Sequence, residues 1–254
     1  MDRFHPEKIK QWSVSAERIL LITGAGISVD SGIPTYRGVT GLYDQAGTED
    51  GIPIEVALSG GMFQRNPDLT WKYLMQIANA CRGKKWNRGH QIIVELEENF
   101  KEVWVLTQNI DGFHQDAGSR NVIEIHGTMR RLRCTQCGRK RPVTEISPQA
   151  IPPACDVCDG VMRPDVVLFD ERLPDDAVQT LEKQLVRGFD GILVVGTSAL
   201  FPYISNPVQQ ADRESCLTVE INPAKTDLSN VVDFRLEMGA TQGLQLLQDW
   251  ITSS

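Results

Sequence analysis

Apolar residues along the chain follow two patterns, short continuous runs and stripes of helical spacing. The runs predict buried strands, and the stripes, where apolar residues recur every three or four positions, predict helices. The predicted strands are 19–23, 103–107, 122–125, 166–169, 191–195, 217–221 and 232–236. The predicted helices are 6–17, 68–81, 88–98, 175–187 and 241–252. Strands that alternate with helices indicate an α/β fold, with a mostly parallel sheet covered on both faces.

One long segment lacks either pattern. Residues 34–62 are rich in Gly, Pro, Asp and Thr, so we predict a long loop there. A loop of this length is usually functional or mobile. It follows the glycine turn Gly24-Ala25-Gly26, which comes directly after the first predicted strand.

Composition narrows the classes of function. The chain has 254 residues, of which 41% are hydrophobic, and this suits one large α/β domain with insertions. Its formal net charge of -7 argues against binding to nucleic acid or acidic membranes and favours basic partners. No apolar run approaches the ~18 residues of a membrane helix, and residues 1–6 have no apolar core typical of a secretory signal. We therefore expect a cytoplasmic protein.

Four of the six cysteines form two CxxC pairs, Cys134 with Cys137 and Cys155 with Cys158, separated by residues 138–154. In a chain with no export signal, this spacing indicates metal binding rather than disulfides. Four thiolates complete a tetrahedral zinc shell and leave no position for water. We therefore predict a structural Zn²⁺ site, and the alternative is a set of free thiols.

The glycine turn favours a nucleotide site, because backbone amides at such a turn approach a phosphate closely. Glycine also suits any tight turn between a strand and a helix. In the dehydrogenase pattern G-x-G-x-x-G the third glycine would fall at position 29, where this chain has Val29. Nucleotide binding therefore remains an interpretation of the turn, whereas hydride transfer is disfavoured.

Several short segments, taken together and in order, resemble the sirtuin family. They are GAGISVDSGIPTYRG at 24–38, TQNID at 107–111, IHG at 125–127, the cysteine segment, GTS at 196–198 and IN at 221–222. The resemblance covers about residues 18–242. It implies a Rossmann-like domain with a smaller domain made of a helical insertion and a zinc ribbon. The corresponding division is 1–37, 100–130 and 160–254 for NAD binding, 38–99 for the cofactor loop and helical insertion, and 131–159 for the ribbon.

The same resemblance implies the reaction, in which NAD and an acyl-lysine yield nicotinamide, free lysine and O-acyl-ADP-ribose. His126 would be the base that activates a ribose hydroxyl, and Asn109 would orient the ribose or its water. Asp111 would receive the nicotinamide carboxamide. The remaining residues implied for NAD are Gly24, Ala25, Gly26, Arg37, Gln108, Gly196, Thr197, Ser198 and Asn222. Ser198 and Asn222 could instead be turn residues, and His126 a core histidine.

Acyl-lysine side chains of proteins are the implied partners. Two alternative functions stay open: a mono-ADP-ribosyltransferase or NAD-glycohydrolase, and a non-catalytic NAD-sensing module. The chain also departs from the family pattern at two places near the peptide cleft. Asp170 stands where glycine is usual, and the segment 196–202 is one residue shorter before its proline.

Acyl preference is predicted from a missing motif. Sirtuins that remove succinyl or malonyl groups carry Tyr-x-x-Arg on the first helix of the insertion, and this chain has no such sequence. We expect Leu74 and Ile77 at the matching positions, where apolar side chains suit neutral acyl groups. The alternative is that both residues only pack in the helix core.

Overall fold

The computed structural model describes residues 6–35, 48–143, 151–212 and 214–253. Its main sheet contains six strands, all paired in parallel, in the order β3-β2-β1-β7-β8-β9. These strands are β1 (Arg18–Thr23), β2 (Glu102–Thr107), β3 (Val122–Glu124), β7 (Gly191–Val195), β8 (Leu217–Ile221) and β9 (Phe234–Leu236). The chain order reverses between β1 and β7, which is the arrangement of a doubly wound nucleotide-binding fold.

Both faces of this sheet are buried, as the unbroken apolar runs predict. Ile19 and Leu21 face one apolar cluster, and Leu20 and Ile22 face another, because successive side chains alternate across a strand. Helices α1 (Pro6–Ser15), α5 (Arg88–Leu96) and α9 (Ala240–Thr252) contribute to the first cluster. Helices α7 (Asp175–Val186) and α8 (Pro202–Gln209) contribute to the second.

A third apolar cluster joins a helical part to a small antiparallel sheet. The helices are α2 (Ile54–Ala57), α3 (Gly60–Arg65) and α4 (Pro67–Cys81), and the sheet has the order β5-β4-β6, with β4 at Gly127–Cys134, β5 at Lys140–Pro142 and β6 at Met162–Val166. Trp71 of α4 is fully buried, and its indole N–H donates a 3.0 Å hydrogen bond to the carbonyl of Met162. The helical part and the strands of the cysteine segment therefore share one core.

The predicted strand at 166–169 is wrong. The observed strand β6 ends at Val166 and pairs with β4 rather than with the main sheet. Beyond it, the backbone N–H of Val167 donates to the carbonyl of His126 (2.9 Å), and that of Phe169 donates to Leu58 (2.9 Å). The backbone of this apolar run thus bonds to two separate segments, at His126 and at Leu58. A strand would need one neighbouring strand along its whole length.

The spacing of apolar residues also failed to predict the short helices. Helices α2 and α3 lie at the end of the predicted loop 34–62, and α6 (Phe113–Ala117) and α8 were not predicted. Each has fewer than nine residues, so an apolar stripe scarcely repeats within it. The five predicted helices are confirmed, with ends that differ by one or two residues.

The domain boundaries stay a prediction. Ile92, Ile93 and Leu96 of α5 pack in the cluster beneath the main sheet, although α5 falls within the predicted insertion 38–99. Within the part of the chain that the structure describes, none of the helices combines the length and the apolar character that a membrane span requires.

Candidate active site

Functional side chains converge at the carboxyl edge of the main sheet. Strands β1 and β7 are neighbours there, and the chain leaves them in opposite directions across the sheet. In open α/β sheets, ligands bind in the crevice that this reversal creates. Gly24 follows β1, Gln108 follows β2, Gly196 follows β7 and Asn222 follows β8, so segments that are distant in sequence meet at one crevice.

The two glycine turns pack directly against each other. The backbone N–H of Gly26 donates a 2.8 Å hydrogen bond to the carbonyl of Gly196. A Cβ added to Gly26 would lie 2.5 Å from the Cα of Gly196, and Gly196 itself has φ of +60°. A side chain at either position would force the turns apart. After this contact, Ala25–Ser31 forms a short 3-10 helix, with Ala25 half-buried.

Gln108 connects the ends of β2 and β7 across β1. Its side-chain amide donates a 2.6 Å hydrogen bond to the hydroxyl of Thr197. The amide of Asn222 donates a 2.9 Å bond to the carbonyl of Thr197, and its oxygen accepts from the N–H of Ala224 at 3.0 Å. Those contacts are typical of a turn residue, the second interpretation of Asn222. Ser198 is exposed at the same edge.

Asn109 and Asp111 meet at Ser28. The amide of Asn109 donates to the carbonyl of Gly24 (3.1 Å) and to the hydroxyl of Ser28 (3.3 Å). That hydroxyl donates in turn to the Asp111 carboxylate at 2.8 Å. Desolvation by burial raises the pKa of Asp111, against the lowering effect of its bonds to the Phe113 N–H and Ser28. A half-buried carboxyl with a raised pKa is typical of a functional site.

His126 lies between β3 and β4, with both ring nitrogens hydrogen-bonded. Nδ1 is 3.1 Å from the carbonyl of Gln108. Because a carbonyl only accepts, Nδ1 carries a proton, and Nε2 of the neutral ring holds the lone pair. Burial lowers the pKa of His126, whereas the bond to Gln108 raises it. A neutral imidazole with its lone pair on Nε2 is suited to act as a base.

Sequence patterns did not indicate Ser28 or Tyr203 as site residues. The hydroxyl of Tyr203 lies 2.7 Å from Nε2 of His126, although the two residues are 77 positions apart. Ser28 lies inside the glycine-rich segment, and only its contacts distinguish it from its neighbours. Arg37, assigned to the cofactor by resemblance, falls outside the described residues.

The four predicted cysteine ligands form one cluster. Their sulfur atoms all lie within 4.8 Å of one another, with 3.5 Å between Cys134 and Cys158 and 3.7 Å between Cys137 and Cys155. Zinc with Zn–S bonds of about 2.3 Å separates its tetrahedral sulfurs by about 3.8 Å. The backbone N–H groups of Gln136 and Cys137 point at the Cys134 sulfur. Geometry and ligand chemistry both fit a structural zinc ion.

Asp170 has a structural role that glycine could not fill. Its backbone is left-handed, with φ of +65°. The carboxylate accepts hydrogen bonds from the N–H groups of Gly60 (2.9 Å) and Gly61 (3.3 Å) at the start of α3. This residue therefore ties the segment near the predicted peptide cleft to the helical part. In α4, Leu74 is 1% exposed within the third apolar cluster, which favours a packing role over a pocket wall.

Comparison with known proteins agrees with this geometry. The sequence model of the Sir2 family matches residues 24–201, so the chain belongs to the Sir2 family, the sirtuins. A relative from Pseudomonas aeruginosa, named NAD-dependent protein deacylase 2, is 52% identical over 224 residues and covers 87% of each chain. A relative from Aquifex aeolicus, named NAD-dependent protein deacylase, is 37% identical over 92% of this chain and 95% of its own length.

Solved structures show the same fold. A Sir2 homologue in complex with NAD superposes with a TM-score of 0.85 at 32% identity, covering 98% of this chain and 94% of the other. A Sir2 complex with a p53 peptide and NAD⁺ has a TM-score of 0.81 at 26% identity, covering 97% and 98%. Both chains match this one over nearly its whole length.

Proposed function

We propose that this sirtuin is an NAD-dependent protein-lysine deacylase. One observation carries the proposal: a neutral, half-buried His126 is held by the carbonyl of Gln108, whose side chain also anchors Thr197 at the nucleotide crevice. The proposed base and the cofactor edge are thus linked through one residue, Gln108. The names of the relatives from Pseudomonas and Aquifex support the same function.

When bound, NAD would supply an anomeric carbon that the acyl-lysine oxygen attacks, with free nicotinamide as the leaving group. The chain would hold the cofactor through the glycine turns after β1 and β7, with Gln108 fixing Thr197 between them. Asn109 and Asp111, joined through Ser28, would orient the nicotinamide ribose and the carboxamide.

His126 would take a proton from a ribose hydroxyl at Nε2. The Gln108 carbonyl keeps the proton on Nδ1 and stabilises the positive charge that develops on the ring. The imidazole later returns the proton as the product forms. The zinc ion would hold the two CxxC turns together and take no part in the chemistry, since four thiolates occupy its shell.

Protein acyl-lysine is the proposed substrate, in line with the p53 peptide bound by one structural neighbour. The net charge of -7 favours lysine-rich segments around the acylated residue. The domain division given above and a cytoplasmic location are further parts of the proposal.

One incubation distinguishes the candidate functions. Purified protein is mixed with NAD and an acetyl-lysine peptide, and the products are identified by mass spectrometry. O-acetyl-ADP-ribose with deacetylated peptide supports deacylation. ADP-ribose attached to protein would indicate transfer, free ADP-ribose without deacetylation would indicate glycohydrolase activity, and absence of nicotinamide release would indicate a sensor.

A further inference from the structure

The segment that follows the β7 turn folds back onto the histidine. Ala199 has a left-handed backbone (φ +53°), and Phe201 and Pro202 then begin α8. The aromatic rings of Phe201 and Tyr203 are stacked, with centroids 5.3 Å apart and planes inclined by 8°. Both rings stand nearly perpendicular to the ring of His126, at 88° and 84°. This aromatic pair covers one side of His126.

The hydroxyl of Tyr203 is hydrogen-bonded to Nε2 of His126, the nitrogen that would act as the base. Because Nδ1 of His126 carries the proton, Nε2 of the neutral ring can only accept, so the hydroxyl of Tyr203 donates the 2.7 Å bond. Imidazole Nε2 has a single lone pair in the ring plane. That lone pair accepts either the tyrosine proton or a proton from the ribose hydroxyl, and the two compete.

We propose that Tyr203 is a substrate-displaced gate on His126. In the substrate-free protein its hydroxyl is hydrogen-bonded to the lone pair on Nε2 of His126. This hydrogen bond must break before His126 can accept a proton from the substrate. This inference rests on the proposed role of His126 in deacylation. It makes Tyr203 a positioning residue that determines when the base is accessible.

Tyr203 is better suited to blocking the base than to passing a proton to it. Desolvation by burial raises the pKa of Tyr203 to about 12, so the phenol stays neutral at physiological pH. A neutral phenol is a good donor and a poor proton acceptor, and a relay would require it to accept the ribose proton.

The surroundings allow the ring to be displaced by an apolar partner. Leu200 is 62% exposed and Phe201 is 40% exposed beside it. Ile204 and Val208, one and five positions after Tyr203, are fully buried and anchor α8. The tyrosine side chain can therefore turn away while the helix remains in place. The aliphatic stem of an acyl-lysine, with flanking apolar residues of the peptide, would take over contacts with Leu200 and Phe201.

The test compares wild type with Tyr203→Phe, which keeps the ring and the stacking and removes only the hydroxyl. Initial rates of deacetylation are measured at saturating NAD with varied acetyl-lysine peptide. We expect KM for the peptide to fall and kcat/KM to rise by about two- to tenfold, as removal of one neutral hydrogen bond implies. Phe201→Leu, which keeps the hydroxyl, serves as the matched control for loss of the stack.

A second readout follows the histidine itself. The Tyr203 bond stabilises the neutral ring, so its loss should raise the pKa of His126, measured by NMR titration of the imidazole nitrogens. A Tyr203→Phe enzyme with lower kcat would show proton relay, and one with unchanged kcat/KM and unchanged histidine pKa would show an incidental contact. Either result overturns the gate.

The proposed function is tested separately by His126→Ala, alone and combined with Tyr203→Phe. If His126 is the base, the single variant His126→Ala and the double variant both lose deacetylation. Tyr203→Phe then brings no gain in the double variant. If His126→Ala retains full activity, the proposed role of His126 as the base is wrong, and the gate that rests on it is wrong as well. The gate fails alone if His126→Ala is inactive and Tyr203→Phe brings no gain.

Discussion

The side-chain amide of Gln108 donates a 2.6 Å hydrogen bond to the hydroxyl of Thr197, while the backbone carbonyl of Gln108 holds His126. One residue thus serves the cofactor crevice through its side chain and the base through its main chain. The two roles are separable by mutation, because truncation of the side chain leaves the carbonyl in place.

We predict that Gln108→Ala weakens NAD binding more than it slows the chemistry. Loss of the bond to Thr197 frees the turn after β7, so KM for NAD should rise by about two- to tenfold with a smaller change in kcat. Steady-state kinetics with varied NAD measures both constants. Thr197→Ser keeps the hydroxyl and should behave like wild type. A large loss of kcat with normal KM in Gln108→Ala would contradict this division of roles.

Zinc content and stability should fall together in Cys155→Ala. Three remaining thiolates leave the tetrahedral shell incomplete, and the cluster contributes two buried cysteines to the core it shares with α4. In a chain of this size, a loss of about 4 kcal/mol lowers Tm by roughly 8–16 °C. Metal analysis and calorimetry check both effects. Cys81→Ser lies outside the cluster and should retain one zinc ion, and a folded, active Cys155→Ala protein without zinc would refute a structural role.

Two buried histidines should make stability depend on pH. His90 and His114 are 0% and 1% exposed, with ring centroids 4.9 Å apart. Burial lowers the pKa of His90 to about 4, and burial together with the charge on His90 lowers that of His114 to about 3. Their ordinary pKa is about 6.5. Below that pH the two histidines are protonated in the unfolded chain and remain neutral in the folded chain. Their contribution to the free energy of unfolding is therefore fully present above about pH 6.5 and is lost as the pH falls.

The measurable consequence is a slope between pH 6.5 and 5. Each histidine contributes up to about 1.4 kcal/mol of unfolding free energy per pH unit in that window. His114→Gln should reduce the slope by about one proton, as followed by urea unfolding at several pH values. At pH 7.5 the same substitution has no titration effect. Equal slopes for wild type and variant would show that His114 is protonated in the folded state.

Neutral acyl groups should be preferred over acidic ones. The chain has no Tyr-x-x-Arg sequence, and position 76, three residues after Tyr73, is Gln76. The hydroxyl of Tyr73 is bonded to Asp50, and the amide of Gln76 donates to Glu49 at 3.2 Å, so the groups here are acidic. We expect higher kcat/KM on acetyl and butyryl peptides than on a succinyl peptide. Ile77→Arg, at the position that matches the motif's arginine, should improve succinyl removal, and a wild-type preference for succinyl would refute the prediction.

Sequence patterns predicted the main sheet because both of its faces are buried, so every central strand is an apolar run. They failed at 166–169, where a similar run is buried without a strand partner along its length. The cysteine ligands were predictable because their spacing is local. Tyr203 was not, since its contact with His126 depends on how α8 is placed by the turn at Ala199, and that placement leaves no periodic signal.

The central claim is that His126 couples nicotinamide release to lysine deacylation. Its most direct test is a quantitative comparison of wild type with His126→Ala, using NAD and one acetyl-lysine peptide. We predict that wild type forms nicotinamide, deacetylated peptide and O-acetyl-ADP-ribose in equal amounts. The variant should form the last two about 10²–10⁴ times more slowly, the usual loss on removing a general base. Nicotinamide release without deacetylated peptide in wild type, or undiminished deacetylation by His126→Ala, would contradict the account.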